Sequence, residues 1–242
     1  MKPIRCVLFD LDGTLLPMEQ EHFVKVYFGG LCRRLAPRGY DPKALVAAIW
    51  EGTGAMVQND GTVTNETRFW ESFRARFGER VMEDLPIFDA FYREDFDAVS
   101  ASCGYQPAAK ATVLRLLERG ARVALATNPI FPAVATEKRI AWAGLSPSDF
   151  ELYTTYENSC HCKPNPAYYE DVMRALGVRP EECVMVGNDV EEDMIAETLG
   201  MQVFLVTDCL INKHGRDISL YPHGDFEALN RYLESLPITP KK

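Results

Sequence analysis

The apolar residues of the chain follow two patterns, short continuous runs and longer stretches with an apolar position every three or four residues. The first pattern is typical of strands buried on both faces of a parallel sheet, and the second is typical of amphipathic helices. Five segments follow the first pattern and are predicted as strands: 6–8, 122–126, 150–155, 183–186 and 202–206.

Helical spacing fills the stretches between and after the later strands. It predicts helices at 107–119, 132–143, 165–177, 190–199 and 225–236. Strands that alternate with helices of this length predict an α/β fold, in which a parallel, Rossmann-like sheet is covered by helices on both faces.

Between the first and second strands the chain is helical for about ninety residues. Helices are predicted at 18–36, 41–52, 65–78 and 84–98. Asp41 and Pro42 supply an N-cap and a first helical position, and glycines follow several of the expected helix ends. Because no strand pattern interrupts this stretch, we predict an all-helical cap domain of residues 15–104, inserted into a core of residues 1–14 and 105–242.

Composition and charge narrow the classes of function. The formal net charge is −9 and no block of Lys and Arg compensates it, which argues against nucleic-acid partners and anionic membrane surfaces. The apolar run near the amino terminus ends at Asp10, too short for a signal peptide or a spanning helix. Seven scattered cysteines suit reduced thiols. We therefore expect a cytoplasmic protein with no membrane partner.

The loop after the first strand carries the strongest candidate chemistry. In open parallel sheets ligands bind beyond the carboxyl ends of the strands, and Asp10 and Asp12 lie there. Alternate side chains of an extended segment point the same way, so the two carboxylates can face one site. Gly13 permits a turn with positive φ or a close approach of a ligand to the backbone.

Three later loops at strand ends hold further polar side chains: Thr127 and Asn128, then Lys163, then Asp189 and Asp193. In a parallel sheet these loops share one edge with the first loop. Carboxylates gathered this closely resist ionising together unless a cation lies among them. Oxygen ligands with few fixed groups suit Mg²⁺, which keeps several waters and also binds phosphate oxygens.

A phosphoryl group gives each of these side chains a role. Lys163 and the Thr127 hydroxyl are suited to hold phosphate oxygens, and Lys163 precedes a predicted helix start that favours anions. Asp10 is the candidate nucleophile that would form an aspartyl-phosphate. Asp12 is the candidate acid and base, which requires a raised pKa. Asn128 either contacts phosphate or only shapes its loop.

Four sequence segments carry a family resemblance. They are Asp-Leu-Asp-Gly-Thr after the first strand, Ala-Thr-Asn after the second, Cys-Lys-Pro-Asn-Pro before a helix and Val-Gly-Asn-Asp-Val-Glu-Glu-Asp after the fourth strand. In this order they resemble the four motifs of the haloacid dehalogenase superfamily, in its phosphatase type with a helical cap (phosphoglycolate phosphatase-like). The resemblance covers the whole chain except the detail of the insert.

The resemblance implies a Mg²⁺ site with three contributors. Asp10 would ligate the metal through its carboxylate, Asp12 through its main-chain carbonyl, and Asp189 through its carboxylate. Asp193 would support the metal site without binding the metal directly, or orient Lys163. The sequence departs from the family at Asn188, which stands between a glycine and an aspartate that are more often adjacent, so a loop one residue longer is an open alternative.

The cap is expected to choose the substrate. The glycine-rich stretch from Glu51 up to Asn65 lies between two cap helices and is expected to face the core, and Thr53, Met56 and Asn59 are candidate substrate contacts. The alternative is a plain surface loop. A cap that closes over the site leaves a small volume, which favours a small phosphorylated metabolite over protein or nucleic acid.

The sequence therefore predicts a Mg²⁺-dependent phosphomonoester hydrolase that forms an aspartyl-phosphate. A phosphomutase shares every core residue, and a 2-haloacid dehalogenase uses the same kind of aspartate. A halide leaving group needs neither an acid nor Mg²⁺, so Asp12 and the pair Asp189 and Asp193 favour phosphoryl transfer. A non-catalytic module that binds metal or phosphate is the remaining alternative, and absence of turnover on a broad substrate panel would support it.

Overall fold

The fold is organised around one parallel sheet, as predicted. A computed structural model describes residues 3–240. Its strands are β1 (Cys6–Phe9), β2 (Arg122–Leu125), β3 (Cys183–Gly187), β4 (Gln202–Val206) and β5 (His223–Gly224), in the spatial order β2-β1-β3-β4-β5. Every neighbouring pair of strands is parallel, so the α/β prediction is confirmed.

The strand register brings three strand ends to one level. Phe9 at the end of β1 lies opposite Leu125 of β2 on one side and Val186 of β3 on the other. The loops that follow these three strands therefore start side by side, with β1 in the middle. This register places the residues after Phe9 at the centre of the carboxyl edge.

One predicted strand is wrong. Segment 150–155 is not a regular strand: it forms one parallel bridge, between Tyr153 and Leu125 of β2, and three backbone hydrogen bonds to β2 from Glu151, Leu152 and Thr154. The pairing with β2 ends at Thr154, and the N–H of Thr155 donates to the Asn158 side chain at 2.8 Å. The short β5 lies instead in a stretch whose sequence shows little pattern.

The α-helices of the described residues are α1 (Gln20–Leu35), α2 (Pro42–Val57), α3 (Asn65–Phe77), α4 (Arg80–Glu83), α5 (Leu85–Ala90), α6 (Pro107–Glu118), α7 (Ala133–Trp142), α8 (Pro166–Leu176) and α9 (Phe226–Ser235). Short 3₁₀ segments lie at Ala36–Arg38, Phe96–Ser102, Pro147–Asp149, Pro180–Glu182, Met194–Leu199 and Ile218–Leu220. A π-helical turn covers Phe91–Asp95.

Helix α2 begins as predicted and ends later than predicted. The Asp41 carboxylate caps it by accepting from the N–H of Ala44 at 2.9 Å. It then continues past Gly52, the predicted stop, to Val57. Gly52 does not end the helix but lies at a close contact between helices. A Cβ on Gly52 would lie 2.6 Å from the ring of Phe69 in α3, so its absence lets the two helices approach closely.

The predicted helix 84–98 is divided into α5, the π-helical turn and a 3₁₀ segment. Phe88, Phe91, Phe96 and Val99 are all buried. The wide π-helical turn and the narrower 3₁₀ turns keep these four side chains buried. In a regular helix of 3.6 residues per turn, Phe91 and Phe96 would point to different sides of the helix.

Two hydrophobic clusters cover the two faces of the sheet. The larger one contains Phe9 of β1 together with Tyr27 of α1 and Phe91, so it runs continuously from the sheet into the helices that precede α6. The smaller one contains Leu8 and Tyr168 on the opposite face. The division into a core and a cap at residues 14 and 105 stays a prediction.

The two segments that connect these helices to the rest of the chain run side by side. Met18 and Cys103 form an antiparallel bridge, and the N–H of Gly104 donates to the carbonyl of Pro17 at 2.7 Å. Within residues 3–240, no helix combines the length and the apolar character that crossing a membrane requires. All seven cysteines carry free thiols.

Candidate active site

The loop after β1 is held by a close approach between Gly13 and Asn188. Gly13 has φ +87°, and a Cβ on it would lie 2.3 Å from the Asn188 side-chain nitrogen. Only glycine therefore fits this position without displacing Asn188. Thr14 Oγ1 donates to Asn188 Oδ1 at 2.9 Å, and the adjacent Asp10 is only 7% exposed.

The ammonium of Lys163 joins two of the loops. Its Nζ lies 2.9 Å from Asp10 Oδ1 and 2.6 Å from Asp193 Oδ1, and the residue is 1% exposed. Burial alone would lower the pKa of Lys163, but the carboxylates of Asp10 and Asp193 outweigh burial and raise that pKa well above its usual value. Lys163 is therefore a fixed positive charge beside the candidate nucleophile.

The carboxylates of the fourth motif bind backbone N–H groups of their own loop. Asp193 Oδ2 accepts from the N–H of Asp189 at 2.9 Å. Asp189 Oδ1 accepts from the N–H groups of Glu191 and Glu192 at 2.7 and 2.9 Å. These bonds hold a loop where a helix was predicted over 190–199, and the 3₁₀ helix begins only after Asp193.

Asn188, the departure from the family pattern, has a structural role. Its Nδ2 donates to the carbonyl of Cys209 at 2.7 Å while its Oδ1 accepts from Thr14, and the residue is 1% exposed. Asn188 thus ties the first loop to the loop after β4. Its carboxamide is occupied by these bonds, which favours the neighbouring Asp189 as the group offered to a metal.

The predicted site residues converge on one cavity of about 130 Å³. Six of the core candidates line it: Asp10, Asp12, Thr127, Asn128, Asp189 and Asp193. The seventh, Lys163, contacts two of them as described above. The structure therefore brings together all seven side chains that the sequence placed at the sheet edge.

Hydrogen bonds to three other segments fix the loop after β2. The carbonyl of Thr127 accepts from the Thr154 hydroxyl at 2.6 Å and from the Tyr168 hydroxyl at 2.9 Å. Asn128 Nδ2 donates to Glu192 Oε2 at 3.0 Å. Burial raises the pKa of Glu192 to about 7, against the opposing effect of Lys163. Glu192 was not among the sequence candidates, although it lines the same cavity.

A buried arginine contacts the candidate acid and base. The guanidinium of Arg139 in α7 is fully buried, and its Nη1 donates to Asp12 Oδ2. Nη2 donates to Thr136 Oγ1 at 3.2 Å, and the guanidinium carbon lies 4.5 Å from the centre of the Phe131 ring. Burial raises the pKa of Asp12, while the charge of Arg139 acts in the opposite direction. Arg139 therefore fixes the position of the Asp12 carboxylate.

Arg139 was not among the predicted site residues, although its position in the sequence indicates a buried charge. In the predicted helix 132–143, Ala135, Thr136, Arg139 and Ile140 follow helical spacing and share the buried face. A charged residue on the apolar face of a helix needs a buried partner of opposite charge. The sequence does not indicate which carboxylate pairs with Arg139.

The oxygen atoms of the site suit a divalent cation. Asp12 Oδ1 and Asn128 Oδ1 are buried and have no hydrogen-bond partner within residues 3–240. In the same part of the chain, no three His, Cys, Asp or Glu side chains form a ready-made metal cage. The carboxylates of Asp10 and Asp189 with the Asp12 carbonyl give the sparse oxygen set that fits Mg²⁺, which retains waters.

The structure brings only one of the three cap candidates to a cavity beside the site. Thr53 lines a second cavity that also reaches Asp12. Met56 is fully buried against Tyr156, and the Asn59 amide donates to the carbonyl of Val63 at 2.9 Å. Met56 and Asn59 therefore stabilise the connection between α2 and α3 and do not line the site. The alternative of a plain surface loop is also wrong, since both side chains are buried.

That connection packs directly on the core. The amide of Asn65, which is fully buried, donates to the carbonyl of Pro129 at 3.2 Å and to Cys162 Sγ at 3.3 Å. Pro129 follows the second motif and Cys162 precedes Lys163. The α2–α3 connection thus rests on two of the loops that form the cavity.

Comparison with known proteins identifies close similarity to one family. The model of the haloacid dehalogenase-like hydrolases matches residues 4–196. The chain is 27% identical over 232 residues to the phosphoglycolate phosphatase of Colwellia psychrerythraea, covering 95% of this chain and 96% of that protein. It is 27% identical over 201 residues to the phosphoglycolate phosphatase of Photorhabdus laumondii, covering 83% of this chain and 79% of that protein.

Solved structures share the fold. A crystal structure of a predicted phosphoglycolate phosphatase from Haemophilus somnus 129PT superposes with a TM-score of 0.61, at 20% identity over 96% of this chain and 99% of that one. Identity at this level establishes the fold alone. The family match and the named relatives together identify the chain as a hydrolase.

Removal of the Lys163 charge should destabilise the protein in a pH-dependent way. In EDTA, we expect Lys163→Met to lower the free energy of unfolding by about 3 kcal/mol at pH 8, since it leaves buried carboxylates without a cation. Burial raises the pKa of Asp193 even beside Lys163. Without the ammonium that pKa rises further, so protonation relieves the loss as the pH falls, and the difference should shrink at pH 5.

Urea unfolding at the two pH values measures this effect. The matched control is the double variant with Asp193→Asn, which removes one unpaired charge and should recover part of the stability at pH 8. An equal loss at both pH values would show that Lys163 acts through packing and not through its charge.

Proposed function

The chain belongs to the haloacid dehalogenase-like hydrolase family, and on that basis we propose that it is a Mg²⁺-dependent phosphomonoester hydrolase of a small phosphorylated metabolite. One observation carries the proposal. The Asp10 carboxylate is held 2.9 Å from the Lys163 ammonium in a cavity that also contains Asp12 and Thr127. The two relatives described above are named phosphoglycolate phosphatases, which supports phosphate esters as the substrate class.

The phosphoryl group binds between the Lys163 ammonium and the Thr127 hydroxyl. Lys163 lies beside α8, whose first turn is capped by Asn165, and the positive end of the helix adds to the attraction for an anion. The Asn128 amide already donates to Glu192, so Asn128 acts mainly by shaping the loop. A metal held by Asp10, Asp189 and the Asp12 carbonyl would supply further positive charge for the phosphate oxygens.

Asp10 is the nucleophile. A carboxylate oxygen of Asp10 attacks phosphorus in line, the bond between phosphorus and the ester oxygen breaks, and an aspartyl-phosphate forms. Lys163 balances the negative charge of the transferring group, and Asp193 holds Lys163 at 2.6 Å in the position that this requires. Burial of all three side chains leaves the nucleophile little contact with bulk water.

Asp12 transfers the protons of both steps. Its raised pKa favours the carboxylic acid that gives a proton to the leaving alkoxide. The resulting carboxylate then takes a proton from the water that attacks the phosphorus of the aspartyl-phosphate, which releases phosphate and restores Asp10. Arg139 holds the Asp12 side chain in the orientation that both transfers need.

Residues 15–104 act as the cap in this proposal. Their helices pack over the carboxyl edge of the sheet, and the paired segments at Pro17 and Gly104 form the hinge at which they would move. The acidic net charge and the seven free cysteines are the grounds for proposing a cytoplasmic location.

The side chains of the site favour phosphate ester hydrolysis over the alternative functions. A dehalogenase needs no proton donor for its leaving group, whereas here Arg139 is committed to orienting Asp12. A binding module needs no in-line nucleophile, whereas the Asp10 carboxylate faces the cavity beside Lys163. A phosphomutase remains the second candidate, since it would use the same core groups.

Phosphate release tests the proposal directly. With Mg²⁺ we expect wild-type protein to release phosphate from small phosphomonoesters, and EDTA to abolish the release until Mg²⁺ is restored. Asp10→Asn removes the nucleophile at almost constant volume and should lower the rate by about a thousandfold or more.

The matched control for this experiment is Asp89→Asn, at an exposed position of α5, which should keep the wild-type rate. Release from Asp10→Asn at a wild-type rate would contradict an aspartyl-phosphate on Asp10. A sugar monophosphate that is isomerised without phosphate release would favour the phosphomutase.

Loss of Arg139 should impair reactions in proportion to their need for a proton donor. For an alkyl phosphate we expect Arg139→Met to lower kcat/KM by about tenfold or more, as a misplaced general acid does. For 4-nitrophenyl phosphate, whose leaving group needs no proton, the loss should stay below about threefold.

The ratio of the two kcat/KM values separates this role from a general loss of folded protein, which would lower both values alike. Lys138→Met is the matched control, because Lys138 is the neighbouring residue of α7 and pairs with Asp97, away from the site. An unchanged ratio in Arg139→Met would show that Arg139 does not position Asp12.

A further inference from the structure

A second, larger cavity opens from the catalytic cavity toward the helices of residues 15–104. Its volume is about 330 Å³, and Asp12, Asn128, Asp189 and Glu192 line both cavities. A phosphoryl group bound between Lys163 and Thr127 would therefore direct the rest of its molecule into this space. The walls of the larger cavity decide which molecule fits.

These walls are mostly apolar and rich in aromatic rings. Ten of the residues that line the cavity carry aromatic rings, among them Phe28, Trp50, Phe69, Trp70 and Phe131. The polar atoms of the wall are largely used within the protein. The hydroxyls of Tyr27 and Tyr92 bond each other at 2.7 Å. Thr53 Oγ1 donates to the carbonyl of Ile49 in its own helix at 2.9 Å.

The charge of the cavity is unsuited to a second anionic group. Among the lining residues in the described part of the chain, Lys213 is the only cation, and it is exposed at the rim. Asp12, Asp189 and Glu192 contribute carboxyl groups to the same wall. The buried cations nearby, Arg139 and Lys163, do not line this cavity and are already paired with carboxylates. A ligand carboxylate, such as that of phosphoglycolate, would therefore be desolvated against aromatic rings without an unpaired positive partner.

We propose that the substrate is a phosphomonoester whose alcohol part is uncharged and carries an apolar ring, and that this ring occupies the 330 Å³ cavity. This inference rests on the proposed function and names its substrate class. An apolar cavity of about 150 Å³ holds benzene, so this cavity accommodates one ring with a short linker or two fused rings. Ring contacts with Trp50, Phe69 and Trp70 then supply the affinity.

Three substrates of similar intrinsic reactivity test the proposal: ethyl phosphate, 2-phenylethyl phosphate and 2-phosphoglycolate. All three release an alkoxide, so the ring and the carboxylate are the main differences. We expect kcat/KM for 2-phenylethyl phosphate to exceed that for ethyl phosphate by about tenfold or more, as burial of a ring predicts. The value for 2-phosphoglycolate should be the lowest of the three.

Two variants locate the effect in the cavity. Trp50 is 53% exposed at the cavity wall, so Trp50→Ala should fold, and it should lower the preference for the phenylethyl ester by about threefold or more. Leu220 is 72% exposed and does not line the cavity, so Leu220→Ala should leave the preference unchanged. An equal preference in wild type and Trp50→Ala would place the ring elsewhere and overturn the proposal.

The outcomes separate this inference from the proposed function. Efficient hydrolysis of 2-phosphoglycolate, at or above the phenylethyl ester, would overturn the inference and leave the hydrolase intact. Absence of all three reactions would overturn the hydrolase. In that case binding of 3-phenylpropylphosphonate and phosphonoacetate, followed by intrinsic tryptophan fluorescence, decides the inference. About tenfold tighter binding of the phenyl compound supports it, and equal or reversed affinities overturn it.

Discussion

The ion pairs of Lys163 are the interaction on which the site depends. The ammonium lies 2.9 Å from Asp10 and 2.6 Å from Asp193, and all three side chains are buried. Without that charge, carboxylates from two loops would face each other away from water. The register of β1 with its two neighbours places these loops side by side. The ammonium of Lys163 offsets the repulsion between the carboxylates that this arrangement brings together.

Two different environments meet at Asp12. On one side lies the polar cavity of about 130 Å³ between the strand ends, where charge and hydrogen bonds suit a phosphoryl group. On the other lies the aromatic cavity of about 330 Å³, where apolar area and shape prevail. Arg139 fixes the carboxylate at this boundary from a buried position in α7. The polar cavity offers charged groups and the larger cavity offers mostly apolar walls, and Asp12, Asn128, Asp189 and Glu192 line both.

The α/β fold, four of the five strands and the convergence of the seven core candidates on one sheet edge followed from the sequence, because periodicity and loop position at strand ends are local features. The failures share a physical cause, which is long-range packing. Segment 150–155 has strand composition and pairs briefly with β2 without becoming a regular strand, and helix 84–98 is reshaped to bury Phe91 and Phe96. Arg139 could be recognised as unusual, but only the folded structure reveals Asp12 as its partner.

The most direct test of the central claim is to observe the phosphoryl group on the protein. A single turnover quenched in acid, followed by digestion and mass spectrometry, reports whether the peptide that contains Asp10 gains one phosphoryl group. We expect transient phosphorylation at Asp10, with greater accumulation in Asp12→Asn, which cannot activate water for the second step. Product formation without any phosphorylated peptide would contradict an aspartyl-phosphate intermediate.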